Sequence, residues 1–160
     1  MSAVLDDVQI QRLIEEPKPL PMDYERRIVL KSKRGHMEAE LAITGQAGSE
    51  FKLILRQSSH NPFDFSVILA HRLPNVNTLF RLRRYNGKHG PHTNRLERET
   101  FYDYHIHEAT ERYQEQGLDE DWFATPTERF SDLRSALRCM IDDCAFVEPC
   151  GTQIELPLEG

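Results

Sequence analysis

Alternation of apolar and polar residues with period two dominates the middle of the chain. His36–Thr44 places Met37, Ala39, Leu41 and Ile43 on one face. Residues 51–57 set Phe51, Leu53 and Leu55 against Lys52, Ile54 and Arg56, and residues 63–71 align Phe63, Phe65, Val67 and Leu69. Residues 78–85 continue the pattern, with Leu79, Arg81 and Arg83 opposite Phe80, Leu82 and Arg84. A β-branched run at 26–33 and a stretch at 100–107 also read as strands. The links K-R-G, G-Q-A-G-S, S-S-H-N-P and L-P-N-V-N are short and rich in turn residues. Successive strands joined this way predict an antiparallel meander.

The pattern changes to helical spacing at both ends. Residues 1–16 carry Val4, Ile10, Leu13 and Ile14 on one face, and prolines 17, 19 and 21 then force extended backbone. Near the C-terminus, Thr125, Pro126, Thr127 and Glu128 read as a capping box with proline at the first helical position. Phe130, Leu133, Leu137, Met140, Ile141 and Cys144 follow as one apolar stripe. Residues 108–116 read as a further helix stopped by Gly117. The predicted fold is α+β: an antiparallel sheet of about five to six strands, a short N-terminal helix, and a long C-terminal amphipathic helix packed on the sheet. Residues 1–160 read as a single domain, with 1–22 as N-terminal helix and Pro-rich arm.

Composition narrows the class. The chain has 160 residues, 29% of them charged and 39% hydrophobic, with a formal net charge of -6. An acidic surface repels nucleic acid on average, so binding of that kind must be local. Cys139, Cys144 and Cys150 match no common zinc spacing. The first residues are polar and lack the apolar core of a secretory leader, and no apolar run reaches the ~18 residues of a membrane helix. A cytoplasmic protein with reduced thiols and no membrane partner is the expectation.

Residues 81–98 reverse the sign of the chain, with Arg81, Arg83, Arg84, Lys88, Arg95 and Arg98 against Glu97 alone. Tyr85 adds an aromatic. Arg81, Arg83, Tyr85, Lys88 and Arg95 therefore form a candidate nucleic-acid surface. His89, His92, His105 and His107 fall nearby. In a strand, Asp103, His105 and His107 share one face, away from Tyr102, Tyr104 and Ile106. Glu108, Glu111, Arg112 and Tyr113 follow, with Glu108 and Arg112 spaced as a helical ion pair.

Two chemistries fit these residues. In one, RNA is cleaved without metal: His105 and His107 divide base and acid work, His92 and Tyr113 assist, and Arg84 or Arg112 holds the phosphate. No cofactor is then required. In the other, His92, His105 and His107, with Asp103 or Glu108, hold a divalent ion for phosphoester hydrolysis. A third reading has no catalysis: acidic ends and the proline arm bind a basic protein, as an antitoxin binds a toxin. No Walker loop, G-x-G-x-x-G or G-x-S-x-G is present.

The segments R-R-Y-N-G-K-H-G-P-H-T-N (83–94) and Y-H-I-H-E-A-T-E-R-Y (104–113) resemble an uncharacterised family of small prokaryotic proteins. That resemblance implies a prokaryotic or phage setting and supplies no activity. In size and layout the chain is also similar to the ribonuclease toxins of toxin–antitoxin pairs. It departs from them in being acidic. RNA or another phosphate-bearing ligand, and a toxin or antitoxin, are the partners these likenesses imply.

Overall fold

A computed structural model describes residues 3–149. Helix α1 (Asp7–Glu15) opens with a capping box in which the Asp6 side chain accepts from the Gln9 N–H. It buries Ile10 and Ile14. The proline segment is part of the fold and not a free arm. Strand β1 (Lys18–Pro19) pairs in parallel with residues 146–147, and Leu20 is buried. Residues 26–33 divide between α2 (Tyr24–Arg27) and β2 (Lys31–Lys33).

Strands β3 (His36–Thr44), β4 (Glu50–Ser58), β5 (Phe65–Arg72) and β6 (Leu79–Asn86) form the expected meander. A small hairpin, β7 (His92–Asn94) and β8 (Glu99–Phe101), comes next. Strand β9 (His105–Glu108) then returns to pair with β6. After α3 (Glu111–Glu115), β10 (Ala124–Pro126) pairs with β9. The chain continues through α4 (Leu133–Asp143) to β11 (Phe146–Val147), the partner of β1. The main sheet is antiparallel throughout, with seven strands in the order β10-β9-β6-β5-β4-β3-β2. Its edges are β2, whose three residues are all exposed, and β10, which ends on Pro126.

The α+β class therefore holds, with two corrections. The sheet has more than five to six strands, and the last helix is short. Residues 125–128 do not start it. Thr125 and Pro126 pair with Ile106 and His105, so sheet pairing takes the backbone groups that a helix would have used. The working cap is Asp132, whose carboxylate accepts from the Ser135 N–H at 2.8 Å. The apolar stripe still points inward. Phe130 precedes the helix yet packs against Phe65, Tyr85 and Tyr104. Ala136, Met140 and Ile141 are the buried helical members, whereas Leu137 is half-buried. Leu137→Ala should therefore cost less than about 2 kcal/mol, below the range for a fully enclosed leucine. Urea unfolding measures this, and a cost of 4 kcal/mol would mean the helix seats differently.

A register shift sets the arginines. The β5–β6 pairing slips between Leu69 and Ala70, opposite Arg83 and Arg81. Simple alternation puts Arg81 and Arg83 together. The slip moves Arg81 onto the face of Arg84, so both reach Asp121. Arg83 stays on the α4 side, its Nη1 4.0 Å from the Cys144 sulfur. Cys139 is half-buried and Cys144 buried; Cys150 lies outside the described residues. No helix among the described residues is long and apolar enough to cross a membrane.

Candidate metal centre

Strand β9 points His105 and His107 to the sheet face opposite α4. Cross-strand pairing sets His107 beside Arg84 and His105 beside Asn86, while Ile106 sits beside Tyr85 on the α4 face. The alternation read from sequence is thus correct in phase. The histidine face is nonetheless covered. His105 and His107 are 4% and 2% exposed. The cover is the β7–β8 hairpin, which brings His92 (7% exposed) down onto them.

Three features position that hairpin. Gly87 donates to the Phe65 carbonyl, and a Cβ there would come within 2.0 Å of the Phe63 carbonyl oxygen; only glycine lets the chain pass. Beyond it, the buried Asn94 amide pairs with Ala124 as a strand would. Its Nδ2 donates to the Ala124 carbonyl at 2.7 Å, and its Oδ1 accepts from the Ala124 N–H at 2.9 Å. Trp122 Nε1 donates to the Thr93 carbonyl.

The three rings converge. Their centroids lie 4.8–5.3 Å apart, and one ring nitrogen from each lies within 4.8 Å of the other two. Three points so spaced share a centre no more than about 2.8 Å from each. Zinc–imidazole bonds are about 2.0–2.1 Å, so sub-ångström ring movements would close the site. The hydrogen bonds also fix the tautomers. Asn94 Oδ1 is defined as oxygen by its pairing with Ala124, so His92 Nε2, 2.9 Å away, must be the donor. His105 Nδ1 donates to the Asp103 carbonyl and His107 Nδ1 to the Asp121 carbonyl, each at 2.8 Å. The protons sit on these nitrogens. Lone pairs remain on His92 Nδ1 and on Nε2 of His105 and His107, the arrangement of metal-ligating imidazoles. No known protein family, curated protein or solved structure matches this chain. The chemistry of the site must be argued from its own atoms.

Electrostatics agree with neutral rings. Burial lowers all three histidine pKa values, helped by the Arg84 guanidinium. His105 falls to about 4 and His107 to about 2. An imidazole with a depressed pKa stays neutral in the fold but binds a proton near pH 6.5 once unfolded. Its contribution is complete above pH 6.5 and is lost as pH falls through the folded value, at about 1.4 kcal/mol per pH unit for each ring. The metal-free protein should therefore weaken between pH 6.5 and 4, and His105→Gln should flatten that slope. Urea midpoints across this range measure it; identical slopes for both proteins would remove His105 from the account.

The other residues singled out in the sequence scatter. Asp103 is exposed and offers the cluster only its carbonyl. Tyr85 is wholly buried, its hydroxyl donating to Asp143 at 2.5 Å, so it is no nucleic-acid contact. Tyr113 is likewise buried, donating to Glu97 at 2.6 Å. Arg112 pairs with that same Glu97, away from the histidines. Glu108 belongs to β9 and not to a helix, and it pairs with Arg83. Arg81 meets Asp119, Glu120 and Asp121. Lys88 lies over the Tyr104 ring and Arg95 over Trp122. Three members of the basic run, Arg81, Arg83 and Arg84, are thus paired with carboxylates, while Lys88 and Arg95 rest on aromatic rings. Asn94, Asp121 and Trp122 escape a reading by motif. Asp121 is fully buried, between Arg84 at 3.1 Å and Arg81 at 3.4 Å. Burial raises its pKa, and the two guanidiniums oppose that shift. The only sign of it in the sequence is an acidic triplet directly before a tryptophan.

Proposed function

We propose that the chain is a metal-dependent hydrolase in which His92, His105 and His107 hold a divalent transition-metal ion of the zinc class. What carries this reading is the convergence of three imidazoles, each of which spends one nitrogen on an oxygen acceptor and keeps the other. Three neutral nitrogen ligands leave a tetrahedral ion one further position for water, a set that suits hydrolytic chemistry. A bound ion would lower the pKa of a water at that position and supply a nucleophile near neutral pH.

Metal-free acid–base cleavage of RNA has less support. A general acid must carry its proton near the working pH, and His105 and His107 are enclosed and hold the proton poorly. Tyr113 and Arg112, the other members of that scheme, stand with Glu97.

The test is metal content. Chelator-treated protein is dialysed against zinc, cobalt(II), nickel(II) or manganese(II) and analysed by elemental mass spectrometry. One equivalent of zinc or cobalt per chain is expected, with cobalt absorption typical of tetrahedral nitrogen ligation. Failure to retain any of the four ions ends this reading.

A further inference from the structure

Placing a dication among three neutral rings creates a charge problem that the surrounding residues leave open. Asp121, whose backbone carbonyl meets His107, has a carboxylate that already stands between two guanidiniums. Its Oδ1 has no hydrogen-bond partner, though it lies 3.4 Å from Arg81. Asp103 is exposed, and Glu108 is paired with Arg83. The Arg84–Asp121 pair adds no net charge. A bound ion would therefore leave two positive charges in an enclosed site, a costly state unless an anion accompanies it.

Arg84 is the group that can receive such an anion. It lies directly cross-strand from His107, with its side chain on the same face. Its only hydrogen bond among the described residues runs from Nε to Asp121 Oδ2. Both Nη groups make none, and the side chain is 20% exposed. A guanidinium held by Nε presents its two Nη groups as a planar fork, a shape that grips two oxygens of one phosphate.

Resting on the metal reading above, we propose that the metal ion and Arg84 together form an oxyanion site for the phosphate group of a phosphate ester. One phosphate oxygen would take the remaining position on the ion, and two others would take the Arg84 fork. Asp121 is a positioning residue that orients the guanidinium through Nε. Preference for phosphate over a carboxylate follows from oxygen count together with charge: a phosphate monoester carries up to two negative charges, sends one oxygen to the metal and two to the fork, and keeps the fourth for the ester link.

The experiment uses the full chain loaded with one equivalent of cobalt(II). Inorganic phosphate, dimethyl phosphate and acetate are titrated by calorimetry, with the cobalt spectrum followed in parallel. Inorganic phosphate should bind and shift the spectrum, and acetate should bind at least tenfold more weakly. Dimethyl phosphate binding assigns a phosphodiester ligand; binding of inorganic phosphate alone assigns a terminal phosphate. Arg84→Lys keeps the charge and removes the fork, and it should retain metal while losing phosphate affinity at least tenfold. The double variant Arg84→Gln/Asp121→Asn removes both charges together and guards against misfolding from a stranded carboxylate; it should behave like Arg84→Lys or worse. Equal phosphate affinity in either folded variant and the parent overturns the proposal, as does acetate binding as tightly as phosphate. A parent that holds cobalt but ignores phosphate also overturns it and leaves the metal reading intact. A parent that holds no metal removes both.

Discussion

Replacing His107 with alanine should lower zinc affinity by at least about 100-fold and erase the stabilisation that zinc confers. A structural zinc site contributes about 10–16 kcal/mol of apparent binding free energy over its ligands, and even loss of a hydrogen-bond partner to a ligand costs 10- to 100-fold. Removing a ligand outright exceeds that. In the parent protein, zinc at a thousand times its dissociation constant raises the unfolding free energy by about 4 kcal/mol. In the variant the same zinc concentration should leave the unfolding midpoint almost unmoved. His107 is the ring to change because it is the most enclosed of the three and contacts both others. His36→Ala is the control, since His36 stands on β3 beside Glu38, outside the cluster. Zinc uptake by His107→Ala equal to that of His36→Ala would show that the metal sits elsewhere.

The second large effect lies far from the histidines. Lys18→Met should destabilise the fold by about 3–5 kcal/mol, the cost of disrupting a buried, fully hydrogen-bonded charge. The Lys18 side chain is fully enclosed. The three N–H bonds of its ammonium are shared among the carbonyls of Leu13, Ile14, Glu16 and Cys144, all at 2.8–2.9 Å. Leu13 and Ile14 are in the last turn of α1, and Cys144 caps α4. These are carbonyls that a helix leaves without partners, at the negative end of its dipole. One lysine thus closes two helices, with the Phe51 ring 4.6 Å from its nitrogen. Methionine keeps much of the length but donates nothing, so four carbonyls lose their partner. Urea denaturation reads the result as a lower midpoint with an unchanged slope. A loss under 1 kcal/mol would refute the double-cap account.

Much of the sheet was legible because its signal is local. His36–Thr44 carries its register in its own alternation, and the structure keeps all nine residues in β3. The last helix was harder. Thr125 to Glu128 satisfies every local rule for a helix start, but the partner that draws 124–126 into the sheet is β9, some twenty residues earlier. The same limit governs the site. The H-I-H pair announces two side chains on one face, yet nothing in the spacing says that a hairpin will cover them. Three features decide that: a glycine passing the Phe63 carbonyl, an asparagine imitating a strand, and a tryptophan bonded to Thr93. Each depends on contact between distant segments. The arginines mislead for a related reason, since one slipped residue in β6 exchanges which of them are neighbours.

The two ends of the large sheet bear on how copies of this protein behave when crowded. A strand with free backbone groups can template another chain and start fibrillar growth. Here one terminus of the ladder is a three-residue Lys-Ser-Lys segment, and the other is equally brief and closes on an imino acid with no N–H to offer. Like charges meeting along the first, and a missing donor on the second, oppose edge-to-edge stacking, so the apolar strands between them can be long without becoming a seed for aggregation.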